Sequence, residues 1–196
     1  MSLTIQVYTD FVCPFCYLGK KPLEDAIAGK DVQIEWMPFE LRPYPNPPID
    51  PWSDPSKLAG WEQYIYPKAK EFGVDMKLPH VSPHPYTGLA FEGYQFAKAH
   101  GKANEFYIRV SDAFYQEEQN IGDIEVLTKL AGEINLDRES FKSALERGTY
   151  KEAHRRALQK AAEQRISAVP TFVIGSKVIQ GVASKETFER AISEQL

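Results

Sequence analysis

The sequence predicts an α/β fold in which a large all-helical insertion separates a βαβ half from a ββα half. Three observations support this prediction. An apolar strand-like run at residues 3–8 leads into a Cys-x-x-Cys pair and a helix-like run. Near the other end, residues 171–174 and 177–180 are β-branched runs joined by a Gly-Ser turn signal and followed by a helical pattern. Helical periodicity fills the roughly 90 residues between these halves.

The elements follow in a clear order. After the first helix, residues 32–37 alternate apolar and polar side chains, which predicts the second strand. A proline-dense segment at residues 38–55 then predicts a loop with little regular strand. Beyond it, helices are predicted at residues 57–72, 87–100, 104–116, 123–133, 137–147 and 150–165.

Helix boundaries support the same division. Asp123 and Asp137 stand where N-caps are expected, and Gly73, Gly101 and Gly148 stand where helices would end. We therefore predict one domain from residues 1–55 and 150–196, and an inserted helical domain from residues 56–149.

The two cysteines, Cys13 and Cys16, lie at the predicted junction between the first strand and the first helix. Unpaired N–H groups and the positive end of the helix dipole at such a junction stabilise a thiolate on Cys13. Pro14 suits the first helical turn, where its missing N–H costs nothing. Cys16, one turn further, is placed to attack a mixed disulfide formed at Cys13. The pair is predicted to be a redox site.

Two alternatives need no redox chemistry. A zinc site requires four ligands, but there is no second cysteine pair, and the candidate histidines begin only at His80. We therefore predict no metal. The second alternative is a pair of buried structural cysteines, since cysteine is often a small core residue.

Pro170 precedes the strand predicted at residues 171–174. Taken alone, it also fits an ordinary trans proline at the start of a strand.

Taken together, the motifs resemble a known family. The segment from Asp10 to Gly19, Asp-Phe-Val-Cys-Pro-Phe-Cys-Tyr-Leu-Gly, is similar to the active-site segment of DsbA-like thiol–disulfide oxidoreductases, in particular their cytoplasmic FrnE-like branch. The resemblance implies a thioredoxin-like fold and protein disulfide oxidoreductase or isomerase activity. It also implies a cis-proline at Pro170 that faces the dithiol. The expected substrate-binding residues are Pro14, Phe15, Val169, Pro170, Phe11 and Thr171.

The chain departs from that family pattern at two positions. Phe15 supplies no cation or hydrogen-bond donor, so we expect a less oxidising pair than in periplasmic relatives with histidine there. Thioredoxin and periplasmic DsbA carry a buried acid six residues before the first cysteine, where this chain has Val7. Asp10 is the nearest acid and a candidate proton relay, although a loop or cap role is the simpler interpretation.

Two other functions remain alternatives. Kappa-class glutathione transferases and hydroxychromene carboxylate isomerases share the inserted-helix layout. In those enzymes, however, a serine occupies the position that corresponds to Cys13. The presence of both cysteines argues against that class. A chaperone-like, peptide-binding role is the other alternative. No cofactor is expected, and glutathione is a candidate co-substrate alongside other protein or small-molecule thiols and disulfides.

Composition narrows the partners and the location. The formal net charge is −4 and no long basic run occurs, so neither nucleic acid nor an anionic membrane is an expected partner. The N-terminal residues lack a signal pattern and no apolar span is long enough to cross a membrane, which predicts a cytoplasmic protein. His84 and Tyr86 lie in a short loop before a predicted helix from which either could reach the cleft, but no role is assigned to them.

Overall fold

The computed structural model describes residues 2–196, and its centre is a four-stranded mixed sheet. The strands lie in the order β2-β1-β3-β4. β1 and β2 are parallel, whereas β3 is antiparallel to both β1 and β4. The predicted βαβ and ββα halves are therefore confirmed. The strands are β1 Leu3–Thr9, β2 Val32–Pro38, β3 Thr171–Ile174 and β4 Lys177–Gln180.

The helices agree with the predicted ones to within about two residues, except for one interruption. They are α1 Pro14–Ile27, α2 Pro55–Gly60, α3 Tyr66–Phe72, α4 Gly88–Ala99, α5 Ala103–Tyr115, α6 Ile124–Glu133, α7 Arg138–Glu146, α8 Lys151–Glu163 and α9 Lys185–Ser193. A 3₁₀ turn, Pro51–Ser53, lies within the proline-dense loop. The division into domains at residues 55 and 150 remains a prediction.

The segment predicted as one helix at residues 57–72 is not a regular α-helix. A π-helical turn, Trp61–Ile65, separates α2 from α3. Pro67 has no N–H to donate to the helical ladder. The Tyr66 amide bonds instead to the Trp61 carbonyl five residues earlier, which widens the helix at this point. Single-turn π-helical segments of this kind often occur at functional sites.

The predicted caps are present. The carboxylate of Asp123 accepts from the Glu125 and Val126 amides, and that of Asp137 accepts from the Ser140 amide. Gly73 ends α3 with a φ of 65°, a left-handed conformation that glycine adopts without strain. Local sequence signals therefore define where these helices begin and end.

One large hydrophobic core joins the sheet to the helices. It includes Ile5 and Phe172 from the strands, and Phe91 and Phe106 from the helices between the two halves. α1 approaches β3 closely at Gly19, where an added Cβ would lie 3.2 Å from the Phe172 ring. This close approach places the start of α1 next to the start of β3, where the candidate site lies.

Candidate functional site

The dithiol begins at the N-terminus of α1. Cys13 is the N-cap residue, with φ −92° and ψ 109°, and its sulfur accepts a hydrogen bond from the Cys16 amide at 3.2 Å. Pro14 occupies the first helical turn, as predicted. The same amide also bonds to the Cys13 carbonyl oxygen at 3.1 Å, so the sulfur shares this donor of the helix start, in a position where the helix dipole also favours negative charge.

The loop before β3 faces Cys13. The Val169–Pro170 peptide bond is cis, and the Cys13 thiol lies 3.8 Å from the Val169 carbonyl oxygen, to which it can donate. Hydrogen bonds hold this loop, and the first comes from the residue after β4, since the Gly181 amide donates to the Pro170 carbonyl at 2.8 Å. The Thr171 hydroxyl donates to the Ala168 carbonyl at 2.7 Å. Two segments more than 150 residues apart in sequence thus meet at one sulfur.

A largely apolar cavity of about 430 Å³ opens beside Cys13. Its size falls in the range of small-ligand sites. Apolar and aromatic side chains form most of its wall, and Arg42, Lys57 and His84 are its basic members. No carboxylate is among the side chains that line it. The other lining residues include Pro14, Phe15, Leu41, Ile49, Trp61, Tyr64, Ile65 and Val169.

Cys16 does not line the cavity and lies in the buried interior. Burial, followed by the neighbouring Cys13, raises the pKa of the Cys16 thiol well above its ordinary value. Thr9 and Tyr107 share a 2.6 Å hydrogen bond in this interior. Burial and the nearby Cys16 sulfur also raise the pKa of the Tyr107 hydroxyl. Cys16 is therefore held as a protonated thiol, shielded from substrates.

Asp10 is buried next to the dithiol turn, with 1% of its surface exposed. One carboxylate oxygen, Oδ2, accepts from the Leu41 amide at 2.8 Å, while Oδ1 has no hydrogen-bond partner among residues 2–196. Burial raises the pKa of Asp10 to about 6, although the nearby Leu41 amide, Thr87 hydroxyl and Val12 amide oppose this shift. The Asp10 backbone carbonyl also accepts from the Cys13 amide at 3.1 Å.

The structure brings Cys13 and three of the six predicted substrate-binding residues to the cavity, and the other predicted site residues lie outside its wall. Pro14, Phe15 and Val169 line it, and Phe15 is 40% exposed. Phe11 does not reach it, because its ring is buried against Phe91, with ring centroids 4.7 Å apart. Pro170 and Thr171 are buried behind the wall.

Several wall residues were not predicted. Trp61 and Tyr64 come from the π-helical turn, and Leu41, Arg42 and Ile49 come from the proline-dense loop. Nothing in their local sequence indicates a binding surface, since folding alone brings the loop and the turn to the dithiol. His84 lines the wall as well, whereas the Tyr86 hydroxyl donates to the Asn46 carbonyl at 2.6 Å.

Two further observations concern what the described residues contain. Within residues 2–196, no three His, Cys, Asp or Glu side chains gather in a way that could hold a metal ion. Among the helices described, none has the length and apolar character needed to cross a bilayer.

The sheet order, the dithiol at the start of α1 and the cis-proline before β3 define a thioredoxin-fold protein with a helical insertion. Comparison with protein families gives the finer assignment. Residues 4–193 match the DSBA-like thioredoxin domain, so the chain belongs to that family.

The similar proteins agree with this assignment. The chain is 57% identical over 196 residues to the uncharacterized protein YwbO of Bacillus subtilis strain 168, covering 100% of this chain and 98% of the relative. A probable DsbA oxidoreductase from Streptomyces coelicolor has a similar structure, with a TM-score of 0.84, 22% identity, and coverage of 98% of this chain and 89% of that one.

Two more solved structures share the fold at low identity. A 2-hydroxychromene-2-carboxylate isomerase has a TM-score of 0.81 at 20% identity, covering 98% of this chain and 95% of that one. The cytosolic disulfide reductase DsbM of Pseudomonas aeruginosa, determined with GSH, has a TM-score of 0.71 at 16% identity, covering 98% of each chain. Both likenesses concern the fold alone.

Proposed function

We propose that the protein is a thiol–disulfide oxidoreductase in which Cys13 exchanges disulfides with the substrate and Cys16 resolves the intermediate. The observation that carries this proposal is the different placement of the two sulfurs. Both residues are buried, with 4% and 3% of their surfaces exposed, but only Cys13 lines the cavity, and its sulfur accepts a hydrogen bond from the Cys16 amide. Family membership supports the reaction class.

The mechanism follows from that placement. In the oxidising direction, a substrate thiolate attacks the Cys13 sulfur of the Cys13–Cys16 disulfide, a mixed disulfide forms, and Cys16 leaves with the electron pair. A second substrate thiol then attacks the substrate sulfur of the mixed disulfide and releases Cys13. In the reducing direction, the Cys13 thiolate attacks one sulfur of a substrate disulfide and releases the other as a thiolate. Cys16 then attacks the Cys13 sulfur, which forms the Cys13–Cys16 disulfide and releases the second substrate thiolate.

Asp10 is proposed as the group that exchanges a proton with Cys16. A thiol whose pKa is raised needs a base before it can act as a nucleophile. Asp10 is buried near the dithiol, has one unpartnered carboxylate oxygen, and has a pKa of about 6, which suits proton transfer near neutral pH. Its backbone contacts place it in the same turn as Cys13.

The proposed substrates are protein or small-molecule thiols and disulfides, with glutathione as a co-substrate. The cavity supports a small thiol, because it is apolar, carries Arg42 and Lys57, and has no acidic side chain on its wall. The likeness to an isomerase extends over the fold alone, and the presence of Cys16 behind the Cys13 of the cavity wall favours disulfide exchange over isomerisation. The FrnE-like assignment and the cytoplasmic location remain predictions.

Trapping of mixed disulfides tests the proposed roles. Incubation of a Cys16→Ser variant with glutathione disulfide is expected to leave one stable glutathione adduct on Cys13, because the resolving sulfur is absent. Cys13→Ser is the matched control and should form far less adduct, because Cys16 does not line the cavity. Mass spectrometry under acid quench counts the adducts. Equal labelling of both variants would contradict the assigned roles.

The reduction potential of the Cys13–Cys16 pair indicates the direction in which electrons flow between the protein and its substrates. Equilibration of the native protein in glutathione buffers, followed by thiol trapping, measures it. A potential above the cytosolic glutathione poise, roughly −220 to −260 mV by extraction, indicates a disulfide donor, and one well below it indicates a reductase. Failure of the two cysteines to form a disulfide in any buffer would remove the basis of the proposed function.

A further inference from the structure

His84 is held rigidly at the wall of the cavity that contains Cys13. Only 3% of the residue is exposed. Its backbone amide donates to the Ile49 carbonyl at 2.8 Å, and its ring packs edge-on against Phe114 with centroids 5.0 Å apart. The ring therefore has one defined orientation relative to the cavity.

The hydrogen bond of the ring defines its tautomer. His84 Nδ1 lies 2.8 Å from the Val81 carbonyl oxygen, which can only accept, so Nδ1 carries the proton. In the neutral ring Nε2 is then the acceptor, and among residues 2–196 it has no hydrogen-bond partner. A buried ring with a free acceptor nitrogen thus forms part of a substrate-sized cavity.

The surroundings keep that nitrogen unprotonated. Burial lowers the pKa of His84, while the Val81 hydrogen bond and the charge of Asp50 act in the opposite direction and are smaller. The cationic side chains on the same wall are Arg42 and Lys57. The other titratable groups that line the cavity are Cys13 and Tyr64.

We propose that His84 Nε2 is the general base that takes the proton from a thiol substrate as its sulfur attacks the oxidised Cys13–Cys16 pair. This inference rests on the proposed function and adds a catalytic residue to it. The S–H bond of the substrate breaks and its proton moves to Nε2. The substrate sulfur bonds to the Cys13 sulfur, and the Cys13–Cys16 bond breaks with its electron pair on Cys16. Cys16 then takes up a proton and His84 releases one, so no net charge accumulates.

The need for a base follows from thiol acidity. Only the thiolate is nucleophilic, and a thiol with a pKa near 8.5 is only about 3% ionised at pH 7. A base in the cavity can therefore raise the rate of attack by at most roughly 30-fold at pH 7. We expect its removal to slow the attack about tenfold at that pH. Above pH 9 the substrate is already ionised, and the base no longer matters.

The test measures the rate at which reduced glutathione attacks each oxidised protein between pH 6 and pH 10. His84→Asn is the first variant, because its side-chain amide can still donate to the Val81 carbonyl while presenting no acceptor at the Nε2 position. His84→Gln, which keeps more of the ring volume, is the second. His100→Asn is the matched control, since His100 Nδ1 makes a similar bond to the Phe96 carbonyl at 2.7 Å outside the cavity.

Samples quenched in acid are counted by mass spectrometry, and unfolding midpoints verify that the variants are folded. Both His84 variants should lose about tenfold in rate at pH 7, and their rates should converge with the native rate above about pH 9. The His100 control should follow the native profile throughout. An unchanged rate at pH 7, or a loss of the same size at every pH, would refute the role of His84 as a base.

The experiment also separates this inference from the proposed function. If the native protein forms no Cys13–Cys16 disulfide, the proposed function fails and the role of His84 fails with it. If the disulfide forms and glutathione reduces it with the same pH profile in all variants, the proposed function stands and the role of His84 is refuted.

Discussion

Replacing Asp10 with asparagine should stabilise the protein in a pH-dependent way. Burial raises the pKa of Asp10 from 3.8 to about 6 in the folded protein. A carboxyl group with a raised folded-state pKa binds its proton more tightly in the folded state. Its contribution to stability is therefore fully present below pH 3.8 and is lost as the pH rises through 6.

The size of the effect follows from the shift. Each pKa unit corresponds to 1.36 kcal/mol, so the ionised carboxylate costs about 3 kcal/mol of stability at pH 7. Asparagine is neutral at every pH and nearly isosteric. We therefore compare the free energies of unfolding of Asp10→Asn and the native protein. The difference between them should shift in favour of the variant by up to about 3 kcal/mol between pH 3.5 and pH 7.

Urea unfolding of the two reduced proteins at several pH values between 3.5 and 7.5 measures this difference. Any fixed cost of placing an amide in the site cancels, because that cost does not vary with pH. Asp50→Asn is a control of opposite sign, since hydrogen bonds from Ser82 and Ser53 lower the pKa of Asp50, which is partly exposed. A difference that is constant with pH, or that favours native Asp10 as pH rises, would refute the reasoning.

The Asp10→Asn variant also tests the proposed proton transfer. If Asp10 accepts the Cys16 proton, the variant should resolve the Cys13 mixed disulfide more slowly at pH 7 while forming it at the native rate. Acid-quenched time courses separate the two steps. Equal resolution rates would leave Asp10 as a buried loop residue without a catalytic role, which is the simpler interpretation of its sequence position.

Two further predictions concern stability. An added Cβ at Gly93 would lie 2.8 Å and 2.9 Å from two phenylalanine rings, so Gly93→Ala should cost about 1–3 kcal/mol in urea unfolding. The matched Gly60→Ala meets nothing within 4 Å in a helical conformation and should instead stabilise by up to about 1 kcal/mol. Asp137→Ala removes the side-chain acceptor for the Ser140 amide and should lower stability by about 1 kcal/mol, and Asp137→Asn should restore most of it.

Much of the fold is predictable from sequence, because its signals are local. Asp123 caps the helix that its position predicts, and the run at residues 171–180 forms the predicted hairpin. The π-helical turn at Trp61–Ile65 was not predicted, because the periodicity of the whole segment is helical. Helical periodicity is the same on both sides of Pro67, and only the hydrogen bonds that its missing N–H displaces show where the helix widens.

Site residues can be predicted from the sequence in two cases. Either they are close to one another along the chain, or the family resemblance implies that two distant segments meet. The spacing of Cys13 and Cys16 predicts a sulfur at the N-cap and a second one turn later, and both are present. That Val169 lies against Cys13 is implied by the family resemblance alone. Trp61 and Leu41 form the cavity wall because of tertiary packing, so a single sequence contains no local signal for them.

The position of the buried acid shows how far a motif can be transferred. Val7, six residues before Cys13, lies within β1 and pairs with Trp36 and Phe172 across the sheet. A carboxyl group there would replace an apolar side chain in the core, whereas Asp10 lies beyond the strand and still has 1% exposure. Its carboxylate has an amide donor only because the chain returns at Leu41, after the second strand. An acid three residues before the dithiol can therefore be buried without occupying the position used in thioredoxin. The sequence alone does not show that Asp10 is buried, because its burial depends on the path of the proline-dense loop.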